Sequence, residues 1–288
     1  MKHLQTVTRL NNEETAEKLS QIADFLEQYK GDRKRDQPIP LTLLLDLMED
    51  ANPRVRWQAI EALGVLGKSE QSVDALIAAL QDPNHIVRWN AALALGEAGD
   101  ERVTLPLLEI LEDESKDVRE MAEWALVELS GKIVPSLIEI LTQHPDWWIR
   151  REAARILGLI GDERATEPLL QALSDRSERI RENVAEALGR IGRPRAIKGL
   201  IHALQDDYGQ TRQNAMEALI KIGTDAVETL IKALKSRNKI IRMNVCQVLG
   251  AIGDQRAIKP LTQLRHDSDF KVRRGASKAL KRIRQKIN

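Results

Sequence analysis

Cysteine, aromatic residues and long apolar runs are all scarce in this chain of 288 residues. A single cysteine, Cys246, excludes an internal disulfide framework and paired metal-ligand cysteines, and suits a reducing compartment. No stretch approaches the roughly 18 consecutive apolar residues of a membrane span. The opening MKHLQTVTRLNNEET also lacks the apolar centre of a secretory signal. A cytoplasmic protein with no membrane partner is therefore expected. Phosphate-cradling glycine loops and Gly-x-Ser-x-Gly elbows are missing as well. The histidines, His3, His85, His144, His202 and His266, lie too far apart in sequence to share a metal, and no histidine neighbours Cys246 to activate it. The expectation is no catalytic residue, no metal and no cofactor: the chain is read as a non-enzyme.

Excess charge of one sign is missing too, since the net charge is +1. Its distribution is uneven. Residues 1–144 carry 15 basic and 26 acidic side chains, whereas 145–288 carry 29 and 17.

What is present is a repeat. VRWQAIEALGVLG from Val55 returns as VRWNAALALGEAG from Val87, VREMAEWALVELS from Val118 and IRREAARILGLIG from Ile149. It returns again from Ile180, Thr211, Ile241 and Val272, at intervals of 30 to 32 residues. Only a stacked supersecondary unit holds such a period. Within each thirteen-residue copy, positions 1, 5, 8, 9 and 12 are apolar and fall on one helical stripe. Gly67, Gly99, Gly161, Gly192, Gly223 and Gly253 follow, where a left-handed cap is wanted. A second apolar pattern between the copies, such as RATEPLLQAL from Arg164, makes each unit a helix pair. Asp100, Asp162 and Asp254 are placed to cap these intervening helices, and Pro106, Pro168 and Pro260 fall in their first turns. Residues 38–50 supply the first helix of the first pair. Glu13–Tyr29 predicts an amphipathic helix that caps the end repeat. The division is thus 1–37, capping helix and linker, and 38–288, the array.

The recurring (V/I)RxxAxxALGxIGD pattern, as in IRREAARILGLIGD from Ile149, resembles the HEAT-like repeats first described in phycobilin lyases, over about residues 38 to 286. The resemblance implies an all-α fold, a right-handed α-solenoid of about eight helix pairs whose second helices line a concave groove. Repeats of this type recur in lyase subunits, adaptors and assembly factors, so fold alone does not fix activity. Deoxyhypusine hydroxylase, a HEAT-repeat enzyme, holds iron with His-Glu pairs, and none of the histidines here is followed by glutamate.

Position 2 is arginine in every copy: Arg56, Arg88, Arg119, Arg150, Arg181, Arg212, Arg242 and Arg273. Upstream acids Asp50, Asp82, Asp113, Asp146, Asp175, Asp206 and Asp267 predict a structural Arg–Asp pair fixing each helix to its own preceding turn. Arg242 is the exception, with no acid in its turn. Asparagines Asn90, Asn183, Asn214 and Asn244 border the core and predict a ladder between repeats.

Opposite the apolar stripe lie positions 3, 7 and 10. They offer a partner Trp57, Glu61 and Gly64, Trp89, Leu93 and Gly96, then Glu120, Trp124 and Val127. The second half offers Arg151, Arg155, Glu182, Glu186, Gln213, Glu217 and Met243, with Gln247, Arg274 and Lys278 beyond. All tryptophans lie between residues 57 and 148, and exposed Trp is characteristic of binding hot spots. Trp147 and Trp148 are expected to brace a turn. A protein or peptide partner is therefore expected in the groove. The resemblance implies a bilin lyase subunit or tetrapyrrole handler as the alternative. Nucleic-acid binding through the basic half is disfavoured, because the tryptophans sit in the acidic half.

Overall fold

The register of the repeat dictates what is buried. Positions 1, 5, 8 and 9 are buried in all eight copies, from Val55, Ala59, Ala62 and Leu63 to Val272, Ala276, Ala279 and Leu280. Spacings of three and four residues set these side chains over one another on a single helix face, so burying them means packing helix on helix.

The structure, a computed structural model, describes residues 2–30 (backbone only for 2–12 and 28–30), 40–66 and 69–287. Among them are seventeen α-helices and no strand. The chain forms two compact units, 1–133 and 134–288. The first holds α1 (Lys2–Lys30) and three helix pairs: α2 (Leu41–Leu47) with α3 (Pro53–Leu66), α4 (Glu70–Ala79) with α5 (His85–Ala98), and α6 (Thr104–Glu109) with α7 (Lys116–Leu129). The second holds five. They are α8 (Val134–Gln143) with α9 (Trp147–Ile160), α10 (Thr166–Ala172) with α11 (Glu178–Ile191), α12 (Ile197–Ala203) with α13 (Gly209–Ile222), α14 (Val227–Ala233) with α15 (Lys239–Ile252), and α16 (Ile258–Gln263) with α17 (Phe270–Ile287). The expected count of eight pairs is met. The first helix is shorter than expected, Leu41–Leu47 rather than 38–50, and α1 starts eleven residues before Glu13.

Local chemistry ends each helix. Asp100, Asp162 and Asp254 accept from the backbone N–H of Arg102, Arg164 and Arg256, each capping a short 3-10 turn that leads into the next α-helix. Gly99, Gly161, Gly192 and Gly253 adopt the left-handed cap, while Gly67 lies outside the described residues. Gly223 differs, at φ 74 and ψ −132, and Ser130 takes the same conformation at φ 48 and ψ −130. A side chain there is strained, since that region is essentially restricted to glycine.

Second helices within each unit approach closely because small residues meet. A Cβ on Gly96 would come within 2.9 Å of the Ala125 Cα, and one on Gly158 or Gly250 within 2.7 Å of the Ala187 or Ala279 Cα. Gly96 is buried in this contact. Where position 10 carries one of these glycines it is a packing point between repeats, which removes Gly96 from the expected partner-facing set.

Helix α1 packs on α3 with Ile22, Phe25 and Leu26 buried. Lys18 Nζ reaches Asp50 Oδ2 at 2.8 Å. Burial alone would raise the Asp50 carboxyl, but the hydrogen bonds from Lys18 and the Asn52 N–H outweigh it and hold it below the usual carboxylate value. The linker at 31–37 lies outside the described residues.

Candidate functional site

The arginines of position 2 form a two-part device, and the expected pairing needs correction. In all eight copies Nη1 donates to the carbonyl six residues upstream, from Arg56 to the Asp50 oxygen through Arg273 to the Asp267 oxygen. The carboxylate partner, however, belongs to the following repeat. Arg56 grips Asp82 through two bonds of 2.7 and 2.8 Å, Arg88 grips Asp113, Arg181 grips Asp206 and Arg242 grips Asp267. Arg150 meets Asp175 more loosely, at 3.3 and 3.4 Å. The upstream carboxylate is engaged elsewhere, because it accepts the backbone N–H two residues on, as Asp82 does from Asn84. Asp146 is no ion-pair partner of Arg150; it caps α9 by accepting the Trp148 N–H. Arg242, expected to be the exception, is fully paired. Arg119 and Arg212 instead find only backbone carbonyls among the described residues.

Burial tends to raise Asp82, Asp113 and Asp206, but the paired guanidinium and the turn N–H overcome it, leaving all three below the ordinary carboxylate value. At Asp267 the Arg242 hydrogen bond dominates with the same result.

Apart from the buried Gly96, the partner-facing residues expected from the sequence are all accessible to some degree. In the first unit Trp57 and Glu61 on α3, Trp89 and Leu93 on α5 are half-buried, and Glu120 and Trp124 on α7 are exposed. Trp124 is 40% exposed. Its ring lies over Gly96, whose added Cβ would be 3.1 Å from Trp124 Cζ3. In the second unit Arg151, Arg155, Glu182 and Met243 are half-buried, and Glu186, Gln213 and Glu217 are exposed. Glu186 and Glu217 border one cavity between α11 and α13. Gln213 donates to Glu217 at 2.7 Å.

Arg151 and Arg155 converge on a residue the sequence did not single out. Glu152 is 5% exposed and takes Arg151 on one oxygen at 2.6 Å and Arg155 on the other at 2.7 Å. Arg151 also lies 5.7 Å from the ring centroids of both Trp147 and Trp148. These tryptophans open α9 itself rather than bracing a preceding turn. A signal for Glu152 existed, since it holds the position of the bordering asparagines. Of those, Asn214 and Asn244 reach back to carbonyls of the preceding repeat, whereas Asn90 and Asn183 bond within their own helices, so the ladder is only half formed.

Cys246 is fully buried, and burial, aided by Asp267, pushes its thiol up to about 12, which makes it a poor nucleophile. Among the described residues no three His, Cys, Asp or Glu side chains gather as a metal site, and no helix is long and apolar enough to cross a membrane.

Comparison with known proteins agrees with this geometry. The HEAT repeats family profile matches residues 41–127, 134–220 and 197–281. No curated relative matches the sequence. Among solved structures, the chain is similar to an engineered protein (21% identity, 84% of this chain and 78% of that one, TM-score 0.39) and to human deoxyhypusine hydroxylase in complex with glycerol (21%, 85% and 96%, TM-score 0.36). It is also similar to importin beta, at 14% identity over 86% of this chain and 42% of that one, with a TM-score of 0.50. At 14% identity the likeness to importin beta concerns the fold alone.

Proposed function

This chain belongs to the HEAT-repeat family, and from that premise we propose that it is a non-catalytic scaffold or adaptor that binds a protein partner on the face of its second helices. The observation that carries this reading is the tryptophan series of the first unit. Trp57, Trp89 and Trp124 come from three successive packed helices, and none is buried. Helices stack about 10 Å apart, a spacing that suits the anchors of an amphipathic helix. Exposed Glu97, Glu120 and Glu128 beside them favour a partner with basic flanks.

The test is affinity capture with the wild-type chain and with a Trp57→Ala/Trp89→Ala variant, followed by titration of the captured partner against Trp89→Ala. Weakening by about 2 kcal/mol or more, the usual hot-spot scale, with nearly unchanged melting temperature supports the assignment. A sharp fall in melting temperature with binding intact shows instead that these rings belong to the packing. The phycobilin-lyase resemblance defines another outcome: a visible absorbance shift on adding a tetrapyrrole would move the function to chromophore handling.

A further inference from the structure

The second unit carries a cavity of about 390 Å³ between α15 and α17. Met243, Phe270 and Gly275 give it an apolar floor and rim, and Lys271, Arg274, Lys278 and Arg282 surround them. Among the described residues no carboxylate lines it. We propose that this cavity is a docking site for an acidic segment of a partner protein that inserts one apolar side chain.

Three observations point there. The first is unsatisfied charge. Several cations elsewhere in this unit are paired, Arg181 with Asp206, Arg190 with Glu186, Arg151 and Arg155 with Glu152. None of the four cavity cations has a carboxylate within salt-bridge reach among the described residues, and α17 carries eight basic residues and no acidic one. The second is Gly275. A Cβ there would meet nothing nearer than Cys246 Cβ at 3.5 Å, so packing does not demand glycine, in contrast to Gly250. Glycine inside a helix weakens it relative to alanine. The equivalent position carries Asn244 in α15, Asn214 in α13 and Glu152 in α9. Omitting the side chain in α17 opens the floor. The third is Phe270, which is 64% exposed at the rim, with the Arg273 guanidinium 5.7 Å from its ring centroid.

Arg274, Lys278 and Arg282 follow one another every fourth residue, a step of about 6 Å along the helix. An extended chain presents alternate side chains about 6.6 Å apart. The cationic row therefore matches carboxylates at every second position of an extended peptide, with an apolar side chain reaching between α15 and α17. A nucleic-acid strand fits less well, because binding it relies on a series of stacking aromatics and the cavity has only Phe270.

The test is fluorescence anisotropy with a labelled synthetic peptide bearing glutamate at alternate positions and one central phenylalanine. A peptide with serine in place of that phenylalanine and a single-stranded oligonucleotide of equal charge serve as comparisons. The proposal expects the phenylalanine peptide to bind at least tenfold tighter than either. Lys278→Glu, an exposed change, and Gly275→Asn, which restores the side chain of the neighbouring repeats, should each weaken it at least tenfold, while Trp57→Ala/Trp89→Ala binds like wild type. Equal binding of the serine peptide, tighter binding of the oligonucleotide, or undiminished binding by Lys278→Glu would overturn it.

Discussion

Thr211 occupies the first position of its copy, where the seven others carry valine or isoleucine. It is fully buried, and its hydroxyl has no hydrogen-bond partner among the described residues. An unsatisfied buried polar group costs about 1–3 kcal/mol. Thr211→Val, which keeps the shape and removes the hydroxyl, should therefore raise stability by about 1 kcal/mol or more, measured by urea denaturation. Unchanged stability would mean that the hydroxyl is satisfied in solution. Such residues are legible from the repeat, since threonine in an apolar column stands out in sequence. Glu152 is the harder case. Its buried role depends on two arginines that converge on it, and the sequence showed those arginines only as partner-facing charges.

Each turn before a second helix is a device of fixed parts. A side-chain acceptor takes the N–H two residues on, the same residue's carbonyl takes the arginine six residues on, and its carboxylate takes the arginine of the preceding repeat. His144 and Ser236 keep the first two parts and lack the carboxylate: His144 Nδ1 accepts from Asp146, and Ser236 Oγ accepts from Asn238. In the second unit Ser236 stands where its neighbours carry Asp206 and Asp267, and Arg212 is the arginine left with carbonyls alone. Ser236→Asp should complete the pair and stabilise the protein by up to about 1 kcal/mol. Arg212→Ala in the same background should abolish the gain in a double-mutant cycle; a gain that survives it would place the effect elsewhere. The helix pairs and their core were legible because periodic burial is a local property of the sequence. The ion-pair partner was not. It lies about 25 residues downstream, as in Arg88 with Asp113, and only stacking brings it near. Lys18 escaped notice for the same reason, standing on Asp50 where another repeat would supply arginine.

At the scale of the whole molecule the depressed carboxyls occur in both units, Asp82 and Asp113 in the first, Asp206 and Asp267 in the second. A carboxyl held lower in the folded than in the unfolded state stabilises above its unfolded value and loses that contribution as pH falls through its folded value. The melting temperature should accordingly show no loss from these groups between pH 7 and about 5, then fall progressively below about 4. Calorimetry across this range checks it, and Asp113→Asn should make the acid limb shallower. A melting temperature that rises on acidification would contradict the assignment. The shared turn also bears on how such a chain changes length. Each Arg–Asp seam joins one repeat to the next through identical groups, so excising residues 175–205 would present Asp206 to Arg150 in place of Asp175 and regenerate the junction. Duplication or loss of a module bounded at both ends by such aspartates thus leaves no orphaned charge, and repeat number can change there at no cost to the seam.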